Sequence, residues 1–320
     1  MNEYFLAKEI VLKKIKEDNE YYPMMVLSLY GVLKKFPEEV DLIQEVFLKT
    51  DIYIEDYPIS QILKNHEITC FDYDEEDEND INTIYGISSY NHNFMMNDDG
   101  SIYFQEENPF LICSLLECNS SLVLNTFVHE LLHLIKSHRN GYSYEEEKDN
   151  FTYSIRCGLA FYDYTYDSKK DILHSSEYFD TLDEGINVIE TTEIMEDILS
   201  LKDLIVDSSI LSYIQSLDWN LLKKDSGYQE AVSMIRPLWK IEDFKLLIEN
   251  HIIDGNIDEI INHFDSLTYH SAFEDFADLI DKIDYLTGVN KKNKKVMEYT
   301  NHIHNIIQIY HNHIKIRGKK

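Results

Sequence analysis

A chain of 320 residues, 44% of them hydrophobic, is long enough for one large or two ordinary globular domains. Its 29 basic residues stand against 59 acidic ones, a formal net charge of −30, which excludes nucleic acid as a partner because a phosphate backbone is bound by neutralising it. Ten Gly and five Pro argue against long flexible linkers and repeat-rich β architectures, and no run of eighteen apolar residues marks a membrane span.

Residues 1–65 read as short amphipathic helices. Phe5, Ile10, Val11 and Ile15 fall near helical spacing, Pro23 breaks the pattern, and Pro37-Glu38-Glu39 is a helix start. Met1–Glu17 alternates apolar and charged residues without the apolar core of a signal peptide. The four cysteines (Cys70, Cys113, Cys118 and Cys157) show no Cys-x-x-Cys pairing, so free thiols and a cytoplasmic location are predicted. The acidic run Asp72–Asp80 reads as a solvated loop.

From Asn82 to Phe104 the texture becomes β-rich, with Ile84, Tyr85 and Ile87 separated from Ile102, Tyr103 and Phe104 by a turn signal at Asn97–Gly100. Leu122–Ile135 is apolar and helical, led by Asn119-Ser120-Ser121 as N-cap candidates and followed by Asn140-Gly141 as a stop. Tyr153–Tyr166 is a further strand candidate. After about residue 184 helical stripes dominate, among them Val232, Ile235 and Leu238, then Phe273, Phe276, Leu279 and Ile280. The predicted class is α+β and predominantly helical. A helical segment over 1–65 precedes a small α/β region over 66–200, and a helical region over 201–320 follows.

The segment that carries chemistry is Thr126-Phe127-Val128-His129-Glu130-Leu131-Leu132-His133-Leu134-Ile135. Spacing of four on a helix puts His129 and His133 on one face, one turn apart, where two imidazoles can share a tetrahedral Zn²⁺. Glu130 projects beside them and can take a proton from a water acidified by the metal. Composition alone produces His-Glu-x-x-His in about one such chain in twenty. The apolar flanks Val128, Leu131, Leu132, Leu134 and Ile135 lower that to about one in a thousand, so coincidence is a poor explanation.

This segment resembles the zincin metallopeptidases. The resemblance implies a small mixed β-sheet packed on the motif helix, a last ligand from a second helix, and peptide hydrolysis by a zinc-bound water. Two residues compete as third ligand. His138 falls on the far face if the helix continues, and Lys136 and Arg139 stand where a metzincin pattern needs Gly and His. Glu184, in Thr181-Leu182-Asp183-Glu184-Gly185-Ile186-Asn187, resembles the downstream Glu of gluzincins. Thr181 to Glu184 also spells a capping box, in which Glu184 would only reach back to the helix start. Val188 stands where gluzincins commonly carry a supporting acid, with Asn187 or Thr191 as substitutes.

For the hydrogen bond to the developing oxyanion, the resemblance offers Tyr153, Tyr162, Tyr164, Tyr166, His174 and Tyr178, with Tyr178 preferred. Ser101–Gln105 occupies the place of the strand that pairs with an extended peptide, though an inner strand fits it equally. His302, His304, His311 and His313 read as exposed polar residues. The resulting expectation is a zinc metallopeptidase acting on a peptide or protein substrate. The alternatives are a degenerate zincin-like module that binds a protein partner and a zinc hydrolase of a non-peptide bond.

Overall fold

The computed structural model describes residues 2–68, 85–96, 102–116, 118–136, 141–145, 150–167, 172–203, 207–222, 228–290 and 293–317. The acidic run Asp72–Asp80, the turn at Asn97–Gly100, Cys70 and His138 lie outside them. The described chain is α+β and mostly helical, with two small sheets. It divides into two compact units, Met1–Ile135 with Glu190–Lys224, and Lys136–Ile189 with Asp225–Lys320.

The first unit opens with α1 (Asn2–Lys14), α2 (Tyr22–Lys35) and α3 (Val40–Lys49). Pro23 sits in the first turn of α2, where its missing N–H costs nothing, and Glu39 precedes the first residue of α3. Strand β1 (Asp51–Glu55), helix α4 (Ile59–Asn65) and strands β2 (Gly86–Met96) and β3 (Ile102–Ser114) follow. The sheet order is β1-β3-β2, with β1 parallel and β2 antiparallel to β3, so the sheet is mixed. Strand β1 meets β3 only over Phe110–Ser114, so Ile102–Gln105 has β2 as its single neighbour among the described strands, and β2 in turn has only β3.

Helix α5 (Ser120–Ile135) packs on β2 and β3 and touches α2 and α3. On the sheet, α4 buries Ile59, Ile62 and Leu63 against Phe110 and Ile112. The unit closes with Glu190–Ser200 of helix α6 (Asp180–Ser200), then α7 (Ser208–Ser216) and α8 (Trp219–Leu222).

The second unit begins with an antiparallel meander of β4 (Gly141–Glu145), β5 (Asn150–Cys157), β6 (Ala160–Asp167) and β7 (Ile172–Tyr178). The single strand predicted over Tyr153–Tyr166 is a hairpin: Cys157 pairs with Ala160 across a two-residue turn in which Gly158 has φ +58. A positive φ at the first central position favours Gly. Asp180–Ile189 of α6 leads on to α9 (Gln229–Trp239), α10 (Glu242–His251), α11 (Ile257–Leu267), α12 (Ala272–Asn290) and α13 (Lys294–Arg317).

The predicted stripes form this unit's core, Val232, Ile235 and Leu238 meeting Phe273, Phe276 and Ile280, with Leu182 and Ile186 of α6. The ring of Phe264 stacks on Tyr310 at 4.9 Å. No helix among the described residues is long and apolar enough to cross a membrane.

Candidate metal centre

Helix α5 is capped where the sequence predicted, for Asn119 Oδ1 accepts the Leu122 N–H at 3.0 Å. Between Ser121 and Ile135 every residue is buried except Leu122, Thr126, His129 and His133, which are half-buried. Those four recur at intervals of four, three and four, so they form one stripe along the helix. The apolar flanks therefore bury α5 on its other sides and leave both histidines on the stripe that remains accessible.

His129 Nε2 and His133 Nε2 lie 3.2 Å apart, with ring planes at 78°. Two nitrogens each 2.0–2.1 Å from one tetrahedral zinc ion stand about 3.3–3.4 Å apart. The imidazole pair thus fits a shared zinc ion; the same separation also fits a single N–H···N hydrogen bond.

Glu130 is 8% exposed and is held from the sheet side. The Ser88 hydroxyl, on β2, lies 2.9 Å from Glu130 Oε2 and 3.0 Å from the Glu130 carbonyl oxygen and can donate to either. Gly86, two residues earlier, leaves room for the carboxylate: a Cβ there would stand 2.8 Å from Glu130 Oε1 and 2.3 Å from Thr126 Cγ2. Cys113, fully buried on β3, has its thiol pushed up by burial, with the Glu130 charge adding to the effect.

In the second unit Glu184 is the fifth residue of α6 and half-buried. The N-terminus of that helix is built from three contacts. Phe179, at φ +62, accepts the Asp183 N–H at 2.9 Å; the Tyr162 hydroxyl donates to Asp180; and Asp183 Oδ1 accepts the Leu159 N–H at 2.8 Å from the hairpin tip. Thr181 is the second residue of α6 and lies inside its first turn rather than before it. The capping-box alternative for Glu184 does not describe this helix.

Burial pushes the Asp180 carboxyl up to about 6; Glu184 and other neighbouring acids add to the shift and the Tyr162 hydrogen bond opposes it. Val188 is buried in the apolar core. Asn187 Oδ1, one of the two substitutes for the missing acid, accepts a 2.9 Å hydrogen bond from Lys136 Nζ, both residues being fully buried.

Within the first unit His129 and His133 can each offer a ring nitrogen to one metal ion, and within the second Glu184 carries a half-buried carboxylate. Asp183 Oδ1, also in the second unit, is already tied to the Leu159 N–H. Tyr178 ends β7, half exposed, with its ring 6.1 Å from that of Phe161. Tyr153 is buried, Tyr162 is engaged with Asp180, Tyr164 is half-buried and His174 is exposed. The side chain of Tyr166 lies outside the description. His302, His304, His311 and His313 are exposed on α13.

Sequence reading missed Ser88 and Gly86. Both stand more than forty residues before Glu130, and no local pattern links them to it. Comparison of the chain with protein-family models, curated proteins and solved structures gives no match.

Proposed function

We propose that this protein is a zinc-dependent metallopeptidase of gluzincin-like type, with His129, His133 and Glu184 as ligands and Glu130 as general base. The observation that carries the reading is the 3.2 Å separation of the two Nε2 atoms on the accessible stripe of an otherwise buried helix. The placement of α5 on a small mixed sheet supports it, as does β2 at a sheet edge, where an extended peptide can add as a further strand.

Bound zinc would supply Lewis-acid polarisation and an acidified water. The chain's own residues would do the rest. Glu130 takes a proton from the attacking water as its oxygen bonds to the scissile carbonyl carbon. It then delivers that proton to the leaving nitrogen as the C–N bond breaks, giving a carboxylate and an amine. Tyr178 is the residue assigned to donate a hydrogen bond to the oxyanion.

The test is metal analysis of the purified protein together with cleavage of a mixed-sequence, fluorescence-quenched peptide library. One zinc per chain is expected, lost on His129→Ala or His133→Ala. Glu130→Gln should retain zinc and lower turnover about a hundredfold or more. Near wild-type turnover in that variant would remove the general-base assignment. Absence of zinc from the wild-type chain would favour the imidazole hydrogen bond over a metal.

One observation favours a second reading, a degenerate zincin-like module that binds a protein partner. Val188 occupies the position where the resemblance calls for an acid, and Asn187 is turned to Lys136 instead. Retained zinc without cleavage of the library would support that module, or a zinc hydrolase of a non-peptide bond.

A further inference from the structure

The Glu130 carboxylate is mostly buried, and an aliphatic stem of that length does not hold one rotamer unaided. Two features of β2, both within the first unit, limit it. Ser88 Oγ lies 2.9 Å from Oε2. Gly86 leaves the space that Oε1 and Cγ fill, since an added Cβ would stand 2.8 and 2.9 Å from them. The Ser88 hydroxyl has one proton and two acceptors in reach, for the Glu130 carbonyl oxygen is 3.0 Å away.

We infer that Ser88 is a positioning residue for the Glu130 carboxylate and that Gly86 keeps open the pocket into which it is positioned. With the carboxylate ionised, the Ser88 proton is donated to Oε2. With a proton on Oε2, the same hydroxyl turns to the backbone carbonyl and accepts from the carboxyl. One side chain therefore supports Glu130 both before and after the proton transfer, without moving its oxygen. The inference rests on the general-base reading for its functional meaning, whereas the position of the Glu130 side chain can be observed without any activity.

Three variants of the full chain test it: Ser88→Ala, Ser88→Thr and the pair Gly86→Ala/Thr126→Ser. The Ser replacement removes Thr126 Cγ2, the atom 2.3 Å from the new methyl, so that the remaining clash falls on Glu130. Zinc stoichiometry, a crystal structure and peptide-library kinetics are measured on each.

Ser88→Ala should keep zinc, leave KM within about twofold and lower kcat by about tenfold to a hundredfold, in line with loss of one hydrogen bond to a charged group. Its crystal structure should show Glu130 displaced or in several rotamers. Ser88→Thr, which keeps the hydroxyl, should recover most of the loss in kcat. Gly86→Ala/Thr126→Ser should move the carboxylate while zinc stays. A single unchanged Glu130 rotamer in Ser88→Ala, or an equal rise in KM with kcat intact, would overturn the inference. If the wild-type chain cleaves nothing but Ser88→Ala still releases Glu130, positioning stands and the peptidase reading falls.

Discussion

Asp183 is the residue whose replacement best separates structure from ligation. Its carboxylate is 1% exposed, and Oδ1 accepts the N–H of Leu159, itself 1% exposed, at 2.8 Å. Asp183→Ala would leave that amide buried without its acceptor, a loss of about 1–3 kcal/mol. The empty space next to Gly158, where a Cβ would otherwise stand 2.3 Å from Oδ1, adds a packing loss, so about 2–3 kcal/mol is expected in all. Asp183→Asn keeps a carbonyl oxygen at the same place and should lose about 1 kcal/mol or less.

The assay is urea denaturation of zinc-free protein with metal analysis of the same preparations after reloading. As a clamp between the hairpin tip and α6, Asp183 predicts that the Asn variant binds zinc as the wild type does. An Ala variant as stable as the wild type would refute the clamp. An Asn variant that folds normally but loses zinc would show that Asp183 does more than clamp the hairpin tip.

Glu184→Ala should greatly reduce zinc occupancy while leaving the melting temperature of the zinc-free chain nearly unchanged. Full occupancy would leave the third ligand unassigned. An unfolded Asp releases its proton near pH 4, whereas Asp180 holds its own up to about pH 6, so its stabilising contribution is complete below about pH 4 and gone above about pH 6, a span of about 3 kcal/mol. Asp180→Asn should therefore flatten the pH dependence of zinc-free stability between 4 and 6, and an unchanged slope would contradict the shift. In the first unit, a Cβ on Gly31 would meet Ile194 Cγ2 at 2.3 Å, so Gly31→Ala should destabilise by about 1–3 kcal/mol in urea, and unchanged stability would contradict that close approach.

What the sequence made legible was local. The cap at Asn119, the face shared by His129 and His133, and the C-terminal stripes each depend on residues a few positions apart. What it hid depends on partners far along the chain. The capping box at Thr181 reads well in isolation, but Phe179 takes a left-handed φ and the helix starts at Asp180, so Thr181 falls inside the first turn. The hairpin inside Tyr153–Tyr166 carries one Gly and no Asn-Gly or Asp-Gly pair, so an aromatic run conceals its turn. Strand order is likewise absent from a linear pattern, which is why the parallel pairing of β1 with the far end of β3, over Phe110–Ser114, was not legible. The grouping of Glu190–Lys224 with residues 1–135 arises from tertiary contact alone.

The buried Lys136 has a use outside catalysis. Its Nζ donates to the equally buried Asn187 and reaches no solvent, while the other lysines of the described residues are at least partly exposed. An amine-acylating reagent should thus modify the surface lysines within minutes and reach Lys136 only when the polypeptide around it opens. Under conditions where reclosing is fast, the mass-spectrometric labelling rate at that one position reports the free energy of opening. The Lys136 amine becomes an internal timer for exposure of the surrounding core, readable in intact protein without a fluorophore or an engineered tag.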